Sequence, residues 1–445
     1  MDNELFENTP VHKAYIRLAL PLVFSMIVTM IYNLADTYFI AATGNTSLVA
    51  GVSLCAPVFT LLMAFGNIFG QGGTSLISRM LGQKDAAGVR RVSAFCFYGA
   101  LLCGAVVGGI MLIFSGPLLR VLGADDQTLG HAMPYYTVLA IGAPFTVASF
   151  IPSNLLRAEG MSRESMIGSV SGAVLNIILD PILISVCGMG AMGAAIATVA
   201  GYLLSDFYFC MVILKKSRHL SLSPAEIKIS GDQAAQIFGI GIPAAITNIC
   251  SSVCMVLTNQ LLLPYGNDKI AAMGIVLKVT LVAQLIMTGL AFGGQPLIGY
   301  FYGAKNHEKM RRLIRFSFSF ISITALVLTV IIFAGAPLIL RGFIDTDEII
   351  SIGTVMLRWQ VSSSLMAALV QLFTIYFQST GRMVGSFLLS ISRQGVVFIL
   401  VLVILAKVAG LNGIIAAQFA ADLISAVFAA LLFYKQLYRE LLTEK

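Results

Sequence analysis

The sequence predicts an all-α membrane protein of twelve transmembrane helices, arranged as two six-helix bundles related by a pseudo-twofold axis along the membrane normal. Composition is the first observation behind this prediction, because 58% of the 445 residues are hydrophobic and only 11% are charged. Typical soluble domains carry about 25% charged residues. The other two observations are a series of long apolar runs and an internal repeat with an offset of about 221 residues.

The apolar runs set the number of membrane spans. A transmembrane helix needs about 20 predominantly apolar residues, and twelve runs in the sequence meet this requirement. We predict spans at residues 14–41, 49–79, 92–115, 131–156, 165–187, 192–214, 235–263, 270–301, 312–334, 351–378, 385–407 and 412–436. The first run is longer than the apolar region of a cleavable secretory signal, so we expect the first helix to be retained.

Lysine and arginine residues indicate the orientation in the membrane. The loops at 79–91, 215–232 and 302–315, with the chain ends and flanking positions, carry 21 of these residues, whereas the opposite loops carry four. By the positive-inside rule, both termini are expected on the cytoplasmic side. A basic inner rim facing anionic lipid also explains the formal net charge of +7 without a nucleic-acid partner.

The two halves of the chain resemble each other. "LGQKDAAGVRR" at 81–91 returns as "YGAKNHEKMRR" at 302–312, and "GMGAMGAAIA" at 188–197 returns as "VAGLNGIIAA" at 408–417. Each repeat holds six spans, an even number, so both halves enter the membrane from the same side. This is the parallel kind of transporter repeat, for which a cavity is expected between the two bundles.

The repeat also predicts the domain boundaries. We expect an amino-terminal bundle at residues 1–214, a cytoplasmic linker at 215–234 and a carboxyl-terminal bundle at 235–445.

Of the 21 acidic residues, four lie clearly inside predicted spans, namely Asp36, Asp180, Asp206 and Asp422. An aspartate at mid-bilayer costs about 2.5–3.5 kcal/mol on insertion scales, so each requires a cavity, a partner or a bound ion. Asp36, Asp180 and Thr198 lie roughly 10 Å below the outer ends of their predicted helices, at 1.5 Å per residue. One layer of the membrane can therefore contain all three.

Polar neighbours accompany both carboxylates. Asn176 precedes Asp180 by four residues, which puts both on one helix face, and Asn33 lies near Asp36. Such a group could hold Na⁺ through oxygen ligands or share a proton. We predict a cation-coupling site, with no metal site beyond Na⁺, at Asp36, Asp180, Asn176, Thr198, Asn33 and either Tyr135 or its neighbour Tyr136, with Tyr135 preferred. The alternative is that these groups only hold helices together.

Several motifs together resemble the multidrug and toxic compound extrusion (MATE) family. They are "GQGG" (70–73), "GGQP" (293–296), "GQKD" (82–85), "GAKN" (303–306) and "NIILDP" (176–181), on a doubled twelve-helix plan. The resemblance covers nearly the full chain. It implies a multidrug efflux antiporter of a bacterial cytoplasmic membrane, which exports cationic amphipathic drugs or dyes in exchange for H⁺ or Na⁺ by alternating access. It implies no enzyme activity and no cofactor, and we expect a monomer.

The resemblance also supports the site residue by residue. Similar exporters use an aspartate on the first helix and an Asn-xxx-Asp pair on the fifth, matched here by Asp36, Asn176 and Asp180, while Thr198 matches a hydroxyl on the sixth. Acidic residues that some members carry in the second half have no counterpart, because the corresponding helices offer Lys278 and Arg358 instead. This departure favours a DinF-like branch with one cation site.

Two prolines inside predicted helices are candidate hinges. Pro181 removes a backbone hydrogen bond beside Asp180 and clashes with the carbonyl four residues earlier, so we expect helix five to be bent or loosened there. Pro21 could give the first helix a similar hinge, whose bend changes when Asp36 is protonated. The alternative is that proline is simply frequent in membrane helices.

The sequence contains few signals for the location of the substrate cavity. Methionine side chains are flexible and polarisable, which suits a cavity that accepts many shapes. Candidate lining residues on helices expected near the cleft between bundles are Met26, Met30, Met63, Met255, Met287 and Gln295.

Two other functions compete with drug export. A lipid-linked oligosaccharide flippase of the same fold would need basic residues in its cavity for pyrophosphate, whereas most Arg and Lys lie in cytoplasmic loops. An intramembrane enzyme is disfavoured because all four histidines fall in or near loops and no catalytic motif occurs.

Overall fold

The computed structural model describes residues 4–343 and 346–438, and within them the regular structure is helical throughout. Arg439 and Lys445, which contributed to the predicted orientation, and the end of the predicted 235–445 domain lie outside these residues. Sixteen α-helices are present in the described ranges, with short π-helical or 3₁₀ turns between some of them.

The first half of the chain contains α1 (Val11–Ala42), α2 (Thr46–Leu54), α3 (Ala56–Gly82), α4 (Ala86–Ile113), α5 (Ser115–Val121), α6 (Asp126–Ala158), α7 (Ser162–Pro181) and α8 (Gly190–Lys216). The second half contains α9 (Gly231–Leu262), α10 (Asn267–Gly293), α11 (Gln295–Gly303), α12 (His307–Arg341), α13 (Asp347–Ser362), α14 (Ser364–Ser379), α15 (Met383–Ile391) and α16 (Val397–Phe433). Short turns occupy Glu4–Asn8, Ile182–Val186, Pro224–Glu226, Leu263–Tyr265, Ser392–Val396 and Tyr434–Tyr438.

Eleven helical segments of the described chain are long and apolar enough to cross a membrane. The last of them, Met383–Gln436, is 54 residues long and contains both the eleventh and the twelfth predicted spans. Gly410 interrupts it with φ 57° and ψ −131°, a left-handed backbone conformation that glycine adopts without a steric penalty. The break lies in the gap that we predicted between residues 407 and 412.

Three spans are each built from two helices. The junctions lie at Cys55, Gly294 and Ser363. A proline follows the first two junctions within two residues, at Pro57 and Pro296. Because proline has no backbone N–H to continue the hydrogen-bond ladder, it favours the start of a new helix at these places.

The chain forms two compact units. The amino-terminal unit holds residues 24–245, and the carboxyl-terminal unit holds the described residues of 4–23 and 246–438. Both boundaries therefore fall inside helices, in α1 and in α9, two residues after Pro21 and Pro243. This division differs from the predicted domains, which assigned all of α1 to the first bundle and residues 235–245 to the second.

Close backbone packing places the start of α1 in the carboxyl-terminal unit. The Tyr15 hydroxyl donates to the Leu290 carbonyl at 2.7 Å. A Cβ atom on Gly293 would lie 2.3 Å from the Cα atom of Ala19, so only glycine permits this approach. Hydropathy does not report such contacts, which explains why the prediction missed them.

The start of α9 packs into the amino-terminal unit in the same manner. A Cβ atom on Gly241 would lie 1.9 Å from the Ile68 carbonyl oxygen. Arg79 of α3 donates to the Gln236 side chain at 2.7 Å. Each repeat thus contributes the start of its first helix to the unit formed mainly by the other repeat.

Backbone conformation follows the internal repeat. Lys84 and Lys305 both have positive φ, 61° and 52°, although neither is glycine. The next residues, Asp85 and Asn306, cap α4 and α12 through their side chains. Glycines with positive φ also occur in pairs separated by 220 to 222 residues, at Gly44 and Gly266, Gly160 and Gly381, and Gly190 and Gly410.

The linker after α8 is fixed by one buried carboxylate. Glu159, at the end of α6, is 3% exposed. It accepts hydrogen bonds from the Ser217 hydroxyl at 2.6 Å and from the backbone N–H groups of Arg218 and His219 at 3.1 Å each. Burial raises the pKa of Glu159 above its ordinary value of 4.5, although these hydrogen bonds and the nearby His219 oppose the rise.

This carboxylate predicts a pH dependence of stability. Because the folded pKa is raised, the folded state binds more protons than the unfolded chain just above pH 4.5, and stability falls as pH rises through that window. Glu159→Gln is expected to flatten this fall. Thermal melting of both proteins across mildly acidic pH measures it, and equal pH slopes in the two proteins would contradict the prediction.

Candidate functional site

Four helices of the amino-terminal unit, α1, α6, α7 and α8, carry the predicted cation-site residues. Asp36 lies on α1, Asn176 and Asp180 on α7, and Thr198 on α8. Asp180 is 0% exposed and Asn176 is 2% exposed, while Asp36 is partly buried. The helical spacing of four residues explains why Asn176 and Asp180 point the same way.

The Asn176 side chain links α7 with α8. With its nitrogen facing Asp180, the amide donates to Asp180 Oδ2 at 3.3 Å, and its oxygen accepts from the Thr198 backbone N–H at 3.2 Å. The end of the amide that faces Thr198 also lies 3.4 Å from the Thr198 hydroxyl oxygen. One carboxylate oxygen of Asp180 is therefore held by an amide.

Each carboxylate also has an oxygen without a hydrogen bond. Asp36 Oδ1 and Asp180 Oδ1 are both buried, and neither has a partner among the described residues. The two carboxylates also lie within electrostatic range of each other, so their negative charges repel when both are ionised. A buried charge without compensation is unfavourable, which makes this pair suited to bind a proton or a cation.

Tyrosine residues border the carboxylates. Buried Tyr135 of α6 lies within electrostatic range of both Asp36 and Asp180, whereas Tyr136 interacts with Cys55. Tyr135 is therefore the residue of this pair that accompanies the site. Tyr32, one turn before Asp36 on α1, lies close to Tyr202 of α8, and both line the same cavity.

A cavity of about 180 Å³ lies beside these groups, within the amino-terminal unit. Its polar lining residues are Thr29, Tyr32, Asn33, Ser149, Ser153, Ser169, Asn176, Thr198, Tyr202 and Ser205. Its apolar lining includes Phe59, Phe150, Phe209 and Met63. The volume can hold several water molecules, and the hydroxyl and amide groups supply the partners that ordered water needs.

The serines are among the cavity residues that the sequence prediction missed. Ser149 and Ser153 are four residues apart on α6, a spacing that puts both on one face of the helix. Serine is common in membrane helices for packing, so this spacing alone does not identify a cavity.

Asp206 lies farther along α8 than Thr198 and Tyr202. Its Oδ1 atom is buried and has no partner among the described residues. It lies within electrostatic range of Tyr202, one turn away. Because Thr198 and Tyr202 line the cavity, Asp206 continues the same polar face of α8 beyond the cavity wall.

The two candidate hinges differ in structure. The α-helix of α7 ends at Pro181, and the next five residues, Ile182–Val186, form a π-helical turn. The helix is therefore loosened directly beside Asp180. Pro21 lies inside α1, whose helix continues through it.

The candidate substrate residues fall in different environments. Met63 lines the 180 Å³ cavity. Met26 and Met30 are both partly buried on α1. Met287 and Gln295 are buried at 3% and 2% exposure, and Met255 is 53% exposed. Of the six, Met63 is the one that the structure places in the wall of that cavity.

The described residues contain no group of three or more His, Cys, Asp or Glu side chains that could hold a metal ion. A sodium ion at Asp36 and Asp180 would instead need oxygen atoms from neighbouring amide or hydroxyl groups, which Asn176 and Thr198 offer.

Comparisons with known proteins agree with the fold and with the repeat. The sequence model of the MatE family matches residues 21–182 and again residues 243–404. The multidrug export protein MepA of Staphylococcus saprophyticus is 33% identical over 438 residues, covering 98% of this chain and 96% of that protein. MepA of Staphylococcus haemolyticus is 33% identical over 430 residues, covering 96% and 94%.

Solved structures give the same result. A crystal structure of MATE in the straight conformation has a TM-score of 0.92 at 24% identity and covers 98% of both chains. The bent conformation has a TM-score of 0.88. These likenesses confirm the predicted fold class. With two matches of the family model, in the first and second halves, and relatives matched along almost their whole length, the chain belongs to the MatE family of multidrug and toxic compound extrusion transporters.

Proposed function

We propose that this transporter is a secondary active multidrug exporter, which moves cationic amphipathic compounds outward in exchange for H⁺ or Na⁺ by alternating access. Membership of the family makes the chain a multi-pass membrane transporter rather than an enzyme, and the MepA relatives are multidrug export proteins. No cofactor is needed, because an ion gradient supplies the energy.

The observation that carries the cation site is the pair of buried carboxylate oxygens at Asp36 and Asp180 that lack partners within the described chain. Two negative charges in a low dielectric repel each other, and binding one H⁺ or Na⁺ removes that repulsion. When the site is empty, the Asn176 amide nitrogen would orient Asp180 by donating to its carboxylate. When Na⁺ is bound, the amide oxygen would be available as a ligand. Thr198, Tyr135 and Asn33 would complete the polar surroundings.

Coupling requires that the bound ion change the shape of the protein. α7 loses its α-helical geometry immediately after Asp180, at Pro181, and π-helical turns are common at functional sites. Neutralising Asp36 and Asp180 would let α1 and α7 approach, and the loosened turn would absorb the movement. In α1, Pro21 lies two residues before the helix passes from one unit to the other, which suits a hinge.

The remaining parts of the proposal concern location and partners. We place the protein as a monomer in a bacterial cytoplasmic membrane, in contact with lipid, with both termini cytoplasmic and without nucleic acid. Drugs would contact the wall lined by Met63, and also the candidates Met26, Met30, Met255, Met287 and Gln295.

Transport into inverted membrane vesicles tests the proposal. A fluorescent cationic dye is added, and a pH gradient and a sodium gradient are imposed separately. Dye movement that requires one of the two gradients is the expected result, and the required gradient identifies the coupling ion. Movement that ignores both gradients would refute ion coupling, and movement of lipid-linked sugars instead of dyes would favour the flippase.

A further inference from the structure

The carboxyl-terminal unit also contains a buried carboxylate, but this one is fully paired. Arg393 Nε donates to Asp422 Oδ1 at 3.0 Å, and Gln418 Nε2 donates to Asp422 Oδ2 at 3.0 Å. The Asp422 side chain is 1% exposed and the Arg393 side chain is 14% exposed. An isolated charge in this position would be unfavourable, so the guanidinium compensates it.

A break in the helix accompanies this ion pair. Arg393 belongs to the π-helical turn Ser392–Val396, in which Gln394 and Gly395 have non-helical backbone angles. The Gln394 carbonyl accepts from Cys254 Sγ at 3.3 Å, and its side chain bonds with the Ser251 hydroxyl. Both partners belong to α9, so the break is held in place from a neighbouring helix.

Few other ionisable groups adjoin this break. The thiols of Cys250 and Cys254 approach it from α9. Arg358 of α13 donates to the Phe333 carbonyl and lies over the Phe333 ring, so its charge is engaged elsewhere. The Ser425 hydroxyl, one turn after Asp422, is buried and has no partner among the described residues.

The internal repeat gives the positions in the other unit that correspond to the ion pair. The offset is 221 residues at Gly160 and Gly381 and 220 at Gly190 and Gly410, so Arg393 corresponds to Gly172 or Ala173 and Asp422 corresponds to Tyr202. At this level α7 and α8 pack closely, because a Cβ atom on Gly172 would lie 2.1 Å from the Ser205 hydroxyl and 2.5 Å from the Gly201 carbonyl oxygen. Neither member of the ion pair therefore has a charged counterpart in the amino-terminal unit.

The contrast between the units concerns compensation of charge. In the amino-terminal unit, Asp36 and Asp180 have buried oxygens without partners in the described ranges, whereas in the carboxyl-terminal unit both Asp422 oxygens are satisfied. A carboxylate bound to a guanidinium has no need of a mobile cation. The cation in the second unit is part of the protein and cannot leave.

We infer that Asp422 and Gln418 form a second cation site, which is occupied permanently by the Arg393 guanidinium. This unit then exchanges no ion, and the number of ions moved per cycle is set by the amino-terminal unit. The statement about ion number rests on the proposed function, but the assignment of the Asp422 site does not.

Removing the tethered cation tests the assignment. Arg393→Gln leaves the Asp422 carboxylate buried without a counter-charge, so it is expected to take up one additional Na⁺ or H⁺ per protein. Calorimetric titration of the purified protein with sodium chloride measures Na⁺ binding. Proton uptake on acidification in sodium-free buffer measures H⁺ binding. The double variant R393Q/D422N and the conservative variant R393K are the matched controls, and both should bind the same number of cations as the parent.

The test remains decisive even if the R393Q variant folds poorly. If R393Q is unstable, sodium or acid should raise its Tm more than that of the parent, because a ligand that binds only the folded state stabilises it. The absence of both the extra cation and this stabilisation would overturn the inference.

The experiment also separates the two proposals. If R393Q gains a cation over the parent but the parent itself binds none, the Asp422 assignment stands and the proposed coupling site fails. If the parent binds a cation that Asp180→Asn removes, and R393Q gains none, the coupling site stands and the Asp422 assignment fails.

Discussion

Asp180→Asn is expected to lower gradient-driven export by about 5- to 150-fold, the range that corresponds to a coupling free energy of about 1–3 kcal/mol between sites. The substitution keeps the volume of the side chain and one acceptor oxygen beside Asn176, but it removes the charge that would bind the ion. Asp180 is 0% exposed, so water cannot replace that charge. Initial rates of dye transport in inverted vesicles measure the effect.

Two comparisons make the result specific. Asp126→Asn removes an acidic side chain that is 97% exposed, and this control should export at the parental rate. Asp36→Asn should resemble Asp180→Asn, and the double variant should be little worse than either single one, because residues that act as a unit are not additive. Parental rates in both single variants would refute the coupling site.

Membrane energetics explain why so much of this site could be predicted from the sequence. A charged side chain is costly in the bilayer, so Asp36 and Asp180 stand out from their apolar surroundings in the sequence alone. The spacing of four residues then gives Asn176 as the partner of Asp180, and the amide does contact that carboxylate. The choice between Tyr135 and Tyr136 depends on the three-dimensional arrangement of the helices, because adjacent residues in a helix differ by about 100° in direction.

Helix positions were predicted better than helix partners. Apolar length identifies a span, and even the break near Gly410 fell in a predicted gap. The predicted domains and the observed units divide the chain differently at the starts of α1 and α9, because hydropathy is the same whichever neighbour a helix contacts. The contacts that decide it are close backbone approaches, such as the one at Gly241.

Gly108→Ala is expected to lower the free energy of unfolding by about 1–3 kcal/mol, the usual cost of overpacking a well-packed interior. A Cβ atom on Gly108 of α4 would lie 2.4 Å from the Ala140 carbonyl oxygen of α6. That oxygen belongs to a helix backbone, so it cannot turn aside as a flexible side chain would. The Tm of the purified protein, measured with its sodium content and pH held fixed, reports the loss.

The neighbouring residue provides the control for this prediction. A Cβ atom on Gly109 would meet no atom within 4 Å, so Gly109→Ala should not lower the free energy of unfolding, and the higher helix propensity of alanine should raise it by up to about 1 kcal/mol. The two glycines are adjacent and chemically identical in the sequence "VVGGI", yet one faces α6 and the other does not. If the Tm changes equally in both variants, the close approach at Gly108 has no effect on stability, and the only effect of the substitutions is on backbone flexibility. A loss confined to Gly108→Ala would instead mean that close contact between α4 and α6 holds this part of the amino-terminal unit together, since small residues are what allow membrane helices to approach.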